Sequence, residues 1–417
     1  MKYLFGFCLF AVVGIISCAS PAEISSPISA KKENDKVLST ESLQIGDQNI
    51  ISPQIAEKLA GFQPFKIPVR LKSSLETQNQ SGDNRPYKLV KKAIKSSMVM
   101  KDVRGNLPLL YIFNYQDGGF LVLSADKRQL PILAYSEKNT FDTTRFDQTG
   151  ASRWMEGMKE EIKAIRGNII PERKGAKNEW ARLEQIIVLP NSATTIQIEE
   201  PPQDCSGGTY FEKLPLTQTA WSQDCSTNGN LPPCSGAGAS QCYRQFAGCG
   251  PVAIAQVMRY WGFPYVVNWA AMPNYPSPYT ANSDLSNLIS GIITAANSIN
   301  LCPWGTATLE SSISPAINNF GYTSSFTAYN YGATDAAIVS NLNNNRPVIM
   351  TGWANLGSAH IWVCDGYRQH TNPCYGYLSY HMNWGWGGYN NGYFSSSDWG
   401  GFSMYGTRNV VLDIRPY

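Results

Sequence analysis

This chain changes character near residue 204. Of its 417 residues, positions 1–204 hold 27 Lys/Arg and 23 Asp/Glu, whereas positions 205–417 hold only 7 and 8. The second stretch has one lysine, Lys213, yet nine of the eleven tryptophans and eight of the ten cysteines. A weakly charged, aromatic-rich chain of that length buries a large core. The Lys-rich stretch before it has no cysteine between Cys18 and Cys205, so two separable folding units are expected. The total of 34 basic and 31 acidic side chains leaves no nucleic-acid footprint, and no basic stripe interleaved with aromatics is present.

The first residues carry an address. Met1-Lys2 precedes an apolar run from Tyr3 to Ile16, too short to span a bilayer but suited to a signal-peptide core. Export is therefore expected. The run ends Ile15-Ile16-Ser17-Cys18 and resembles the bacterial lipobox, which implies lipidation of Cys18 after cleavage; an ordinary cleaved signal peptide is the alternative. Membrane contact is then expected only through that lipid, at the cell envelope, or not at all if the protein is secreted. Residues 19–85 are polar and read as a tether or weakly ordered lead-in.

Residues 86–203 read as a small α+β domain with a linker. Leu109–Phe113 and Phe120–Leu123 are strand-like and flank Asp117-Gly118-Gly119, a hairpin signal. Leu130–Tyr135 contains Pro131 and is expected as an edge strand. Trp154, Met158, Ile162 and Ile165 recur at helical spacing in a charged background. From Pro190 to Gln203 the core pattern gives way to a linker, and residues 204–417 form the second domain.

In that domain Pro251–Trp261 reads as a buried helix, opened by Gly250-Pro251 and closed by Gly262, with only Gln256 and Arg259 strongly polar. Cys249 stands at its start, where free N–H groups and the helix dipole favour a thiolate, the form that attacks a carbonyl. The chain has three histidines: His360, His370 and His381. His360 opens a strand after the small-residue loop Ala354–Ser358 and suits a general base. His370 is expected in an exposed loop, and His381 inside a strand as a structural residue. Asn383 is placed to accept from the imidazole, with Trp384 as a lid against water. Gln223 is a candidate donor to the oxyanion beside the Cys249 N–H.

Gly248-Cys249 running into Ala255–Tyr260, Ala359-His360 running into Asp365-Gly366-Tyr367, and His381–Gly388 together resemble the streptopain family of bacterial papain-like cysteine peptidases. Leu110–Asn114 through Gly119–Asp126 is similar to that family's inhibitory propeptide. The resemblance covers roughly residues 86–417. It implies an α+β fold: a papain-like two-lobed peptidase domain preceded by a small α+β propeptide domain. It further implies Cys249 as nucleophile, His360 as base, Trp384, Asn383 and Gln223 in support, no cofactor and no metal. Protein or peptide substrates, an apolar side chain at the second residue before the scissile bond, and the chain's own propeptide as inhibitor follow from it.

The departure from the family is in the cysteines. Leaving out Cys8, Cys18 and Cys249, seven remain, so at most three disulfides with one thiol over are expected. Cys364 with Cys374 and Cys234 with Cys242 are candidate bridges, and the spacing is unlike a zinc site. Two other classes stay open: a cysteine acyl-transfer enzyme that is no peptidase, and a binding protein that has lost catalysis on the same fold.

Overall fold

A computed structural model describes residues 48–61, 91–103, 106–142, 150–188, 209–236, 240–302, 305–353, 359–371, 376–396 and 407–417. The signal run, Cys18, the Pro190–Gln203 linker and the Ala354–Ser358 loop lie outside the described residues. In chain order the elements are α1 (Pro53–Ala60), β1 (Ile94–Lys101), β2 (Pro108–Tyr115), β3 (Phe120–Ser124), β4 (Ile132–Ser136), α2 (Gly150–Arg166) and α3 (Ala176–Val188). There follow β5 (Thr209–Lys213), α4 (Cys249–Trp261), α5 (Ser283–Ala295), β6 (Ile299–Leu301), β7 (Gly305–Ala307), α6 (Ile313–Asn319) and β8 (Tyr322–Ala328). The rest are α7 (Tyr331–Asn343), β9 (Val348–Trp353), β10 (Ala359–Thr371), β11 (Gly376–Asn383), β12 (Gly392–Ser395) and β13 (Thr407–Pro416).

One sheet runs through both halves, in the order β1-β2-β3-β4-β12-β11-β10-β9-β13-β8, with β5 beside β10. Its centre is buried on both faces, and the two-residue period of the strands sorts their side chains between two cores. Ile361 and Val363 of β10 face the core built on α4, α5 and α6. Trp362 and Cys364 face the opposite core, which also takes in Leu110, Ile112, Val122, Trp154 and Met158 of the leading half. The α+β class holds, and the expected separate units share a sheet and a core.

The junction is β4 against β12, with Tyr135 opposite Tyr393 and Ala134 opposite Phe394. This corrects the edge-strand expectation: Pro131 falls just before β4, where its missing N–H costs no ladder bond, and β12 covers the free side. The β2–β3 hairpin forms as expected, because Gly118 and Gly119 adopt φ of 83° and 95°, open to glycine at little cost. Helix α2 buries Trp154, Met158, Ile162 and Ile165 as its spacing predicts. The lead-in is not uniformly a tether: Ser52 caps α1, and Ile51, Ala56, Leu59 and Ala60 pack under Tyr111, Tyr115 and Trp180.

Disulfides join Cys225 to Cys242 and Cys234 to Cys302, so the expected Cys234–Cys242 bridge is not made. Cys364 is a buried free thiol, which removes the Cys364–Cys374 pairing as well. The reason is geometric: Cys364 points into the core from mid-strand. The two bridges instead staple the irregular stretch between β5 and α4. That stretch delivers Gln223 and Cys249 to one place.

Candidate active site

Helix α4 starts at Cys249 itself, two residues before the expected Pro251. Gly248 ahead of it has φ 89°, and a Cβ there would stand 2.8 Å from the Thr306 carbonyl oxygen; only glycine turns the chain into this helix. At the other end Gly262 closes it in the left-handed conformation. Cys249 is buried, and its sulfur is disulfide-bonded. The sequence reading takes this cysteine as a free thiol. The structure instead pairs it, and a disulfide offers no thiolate until it is reduced.

His360 sits on β10 opposite Gly352 of β9 and is 5% exposed. Its Nε2 lies 2.9 Å from the Trp384 carbonyl oxygen. A carbonyl only accepts, so Nε2 carries the proton and Nδ1 keeps the lone pair a base requires. The ring stacks on Trp362 at 5.9 Å and tilts against Trp384 at 6.1 Å. Burial among these indoles drives its pKa down to about 4, against the partial upward pull of the Trp384 carbonyl. The imidazole is therefore neutral here.

Trp384 is fully buried and holds the imidazole from its backbone as well as its ring. Asn383, read as the acceptor for the imidazole, does something else. Its Nδ2 donates to the Thr219 carbonyl at 2.8 Å and to Gln256 Oε1 at 3.0 Å, while its Oδ1 accepts from Gly385 N. Residue types alone do not show a main-chain carbonyl, so the sequence points instead to the neighbouring amide.

Gln223 is 1% exposed, and its Nε2 has no hydrogen-bond partner among the described residues. Its own carbonyl accepts from Ala247 N at 2.8 Å, which fastens it two residues from Cys249. A buried amide donor left open is costly, and it is available to an acceptor brought to it.

The remaining histidines separate cleanly. His381 Nδ1 lies 2.6 Å from Asp365 Oδ1, and Asp365 also accepts from Thr217 N and Oγ1, a structural knot. His370 is not in an exposed loop: it is 8% exposed in β10, between Tyr210 of β5 and Tyr377 of β11. Burial and the adjacent Asp365 push the Cys364 thiol well up, so it is no competing nucleophile.

The leading half reaches this site. Gly150 opens α2, and a Cβ on it would lie 2.4 Å from Trp384 and 2.7 Å from His360. Trp154 meets Phe394 edge-on at 5.0 Å, and Phe394 meets Trp384 at 5.2 Å. Helix α2 thus lies on the imidazole and its indole with no room between. The sequence carries one signal for it, a glycine one turn ahead of Trp154.

Residues 265–394 match the Peptidase C10 family, and residues 69–162 match the Spi protease inhibitor family. The first match contains His360 and Trp384 and begins after Cys249. Streptopain of Streptococcus pyogenes serotype M1 is 23% identical over 365 residues, covering 74% of this chain and 81% of streptopain. The thiol protease/hemagglutinin PrtT of Porphyromonas gingivalis is 24% identical over 372 residues, covering 78% of this chain and 39% of PrtT. A solved fragment of Prevotella intermedia prointerpain A superposes with a TM-score of 0.54 at 19% identity, over 78% of this chain and all of the fragment.

Proposed function

We propose that this chain is a cysteine peptidase of the streptopain family made as a zymogen, as its matches to the Peptidase C10 and Spi protease inhibitor families support, with Cys249, once reduced, as its nucleophile and His360 as its base. His360 Nδ1 takes the Cys249 thiol proton, the thiolate attacks a peptide carbonyl, Gln223 Nε2 and the Cys249 N–H hold the oxyanion, and the imidazolium gives that same proton to the leaving amine as the C–N bond breaks. Water then hydrolyses the acyl-enzyme. Trp384 orients and shields the imidazole, and Asn383 supports the strand end that carries it. The observation that carries this reading is the seating of the α2 N-terminus on His360 and Trp384. An inhibitory segment covers the residues it must disable.

The address at the N-terminus supports an exported enzyme, held at the bacterial envelope if Cys18 is lipidated. Residues 86–203 then form the segment removed on maturation, and an apolar side chain at the second position before the scissile bond is the expected preference. Wild type and Cys249→Ala, expressed as full chains, reduced and treated with the epoxide E-64, test it. Wild type is expected to shorten, digest casein and take the label at Cys249, while the alanine variant does none of these. A variant that still digests casein after Cys249 is gone ends the proposal.

A further inference from the structure

Gln256 is a fully buried amide on a mostly apolar helix. It stands two turns after Cys249 on α4. Its Oε1 accepts from three groups: Thr219 Oγ1 at 3.0 Å, Trp221 N at 3.4 Å and Asn383 Nδ2 at 3.0 Å. These donors come from two other stretches of chain. Thr219 and Trp221 lead directly into Gln223, and Asn383 immediately precedes Trp384, whose carbonyl accepts a hydrogen bond from His360 Nε2. One oxygen therefore joins the helix that starts at the nucleophile, the segment that carries the oxyanion donor and the strand end that orients the base.

The other end of the same amide shows what the oxygen is for. Gln256 Nε2 is buried without a partner among the described residues. A methionine would fill the same space without the orphaned Nε2, but it would take the acceptor away from Thr219 Oγ1, Trp221 N and Asn383 Nδ2. The chain bears the cost of an unpaired N–H in order to keep a carbonyl oxygen at the junction. Asn383 reinforces that junction by donating to the Thr219 carbonyl as well, at 2.8 Å.

We infer that Gln256 is a positioning residue of the peptidase reaction: its Oε1 sets the placement of Cys249 and Gln223 relative to His360. The inference rests on the assignment of those three residues made above. Misplacement of reacting groups by about 1 Å costs on the order of 100-fold in rate, so the loss belongs in kcat.

The test uses full chains carrying Gln256→Met, Gln256→Glu and Cys249→Ala beside wild type. All are reduced and matured with the same trace of wild-type enzyme, and the Cys249→Ala sample supplies the background. Gln256→Met keeps the volume and loses the acceptor; Gln256→Glu keeps an acceptor for all three donors. On a peptide amide substrate, Gln256→Met is expected to lower kcat about 10- to 100-fold with KM within about threefold. Gln256→Glu is expected to stay within about fivefold of wild type. The inference is overturned if Gln256→Met keeps wild-type kcat, if its loss lies in KM alone, or if Gln256→Glu loses as much. It is overturned equally if either variant yields no soluble chain, the behaviour of an amide that only holds the fold. Wild type no better than Cys249→Ala refutes instead the site assignment underneath it.

Discussion

Replacing Gly150 by valine isolates the contact between the leading half and the site. A Cβ at this position would lie 2.4 and 2.5 Å from Trp384 Cζ3 and Cε3, and 2.7 Å from His360 Cδ2. None of these is the tip of a flexible side chain. Trp384 is itself wedged between Trp362 and Phe394, each at 5.2 Å, so α2 has to lift. Overpacking of this kind costs about 1–3 kcal/mol, with two further methyl groups placing valine near the top. Against it, valine recovers less than about 1 kcal/mol of the helix penalty of glycine. The net loss of docking is about 2 kcal/mol, roughly a 30-fold rise in the open fraction. Limited trypsin digestion reads this well, because residues 1–204 hold 27 Lys/Arg against 7 in the remainder. In a Cys249→Ala background, which removes self-cleavage, Gly150→Val is expected to shorten the lifetime of the leading half about 30-fold. Gly291→Ala is the control, since its Cβ would meet nothing closer than Phe320 at 3.9 Å, and it should leave the lifetime unchanged. Equal resistance of Gly150→Val and wild type would refute the contact as an inhibitory one.

Acidification is expected to loosen the precursor. Buried His360 titrates near 4, but near 6.5 once exposed. The released state therefore binds the extra proton between those values, and docking stability falls as pH drops from about 6.5 toward 4, by up to about 3 kcal/mol. Trypsin sensitivity at pH 7 and pH 5 checks this, with no acceleration counting against it and a His360→Gln chain losing the response. Gln223→Ala is expected to lower kcat of the matured enzyme about 100- to 1,000-fold with little change in KM; steady-state kinetics on a peptide amide decide it. Tyr135→Ala should release the leading half, because Tyr135 stacks on Tyr393 at 5.2 Å, packs on the Arg368 guanidinium at 5.2 Å and accepts a hydrogen bond from Arg368 Nη1 at its hydroxyl. Losing a buried ring costs about 3–5 kcal/mol, so a faster digest than that of Tyr135→Phe is expected, and equal rates would remove this contact from the latch.

Local rules sufficed wherever a pattern closes within a few residues. The Gly118-Gly119 hairpin, the apolar stripe of α2 and the glycine stop of α4 follow from glycine's backbone freedom and the 3.6-residue helical period, and all three stand in the structure. The motifs around His360 and Trp384, which lie inside the Peptidase C10 match, were legible for the same reason: they are short and continuous. What sequence could not supply depends on which strands become neighbours. β4 is an interior strand because β12 pairs with it across more than 250 residues. Pairing of β10 with β5 and β11 buries His370, and the packing of the leading half brings Gly150 onto Trp384. Cysteine partners were misread because pairing follows the distance between Cα atoms, 5.5 and 5.8 Å for the two bridges described, and not their spacing along the chain. The acceptor for the imidazole was missed because every residue has a carbonyl, and only the path of the folded backbone decides which one meets the ring. Side-chain chemistry is written residue by residue, whereas the meeting of distant groups is a property of the packed whole.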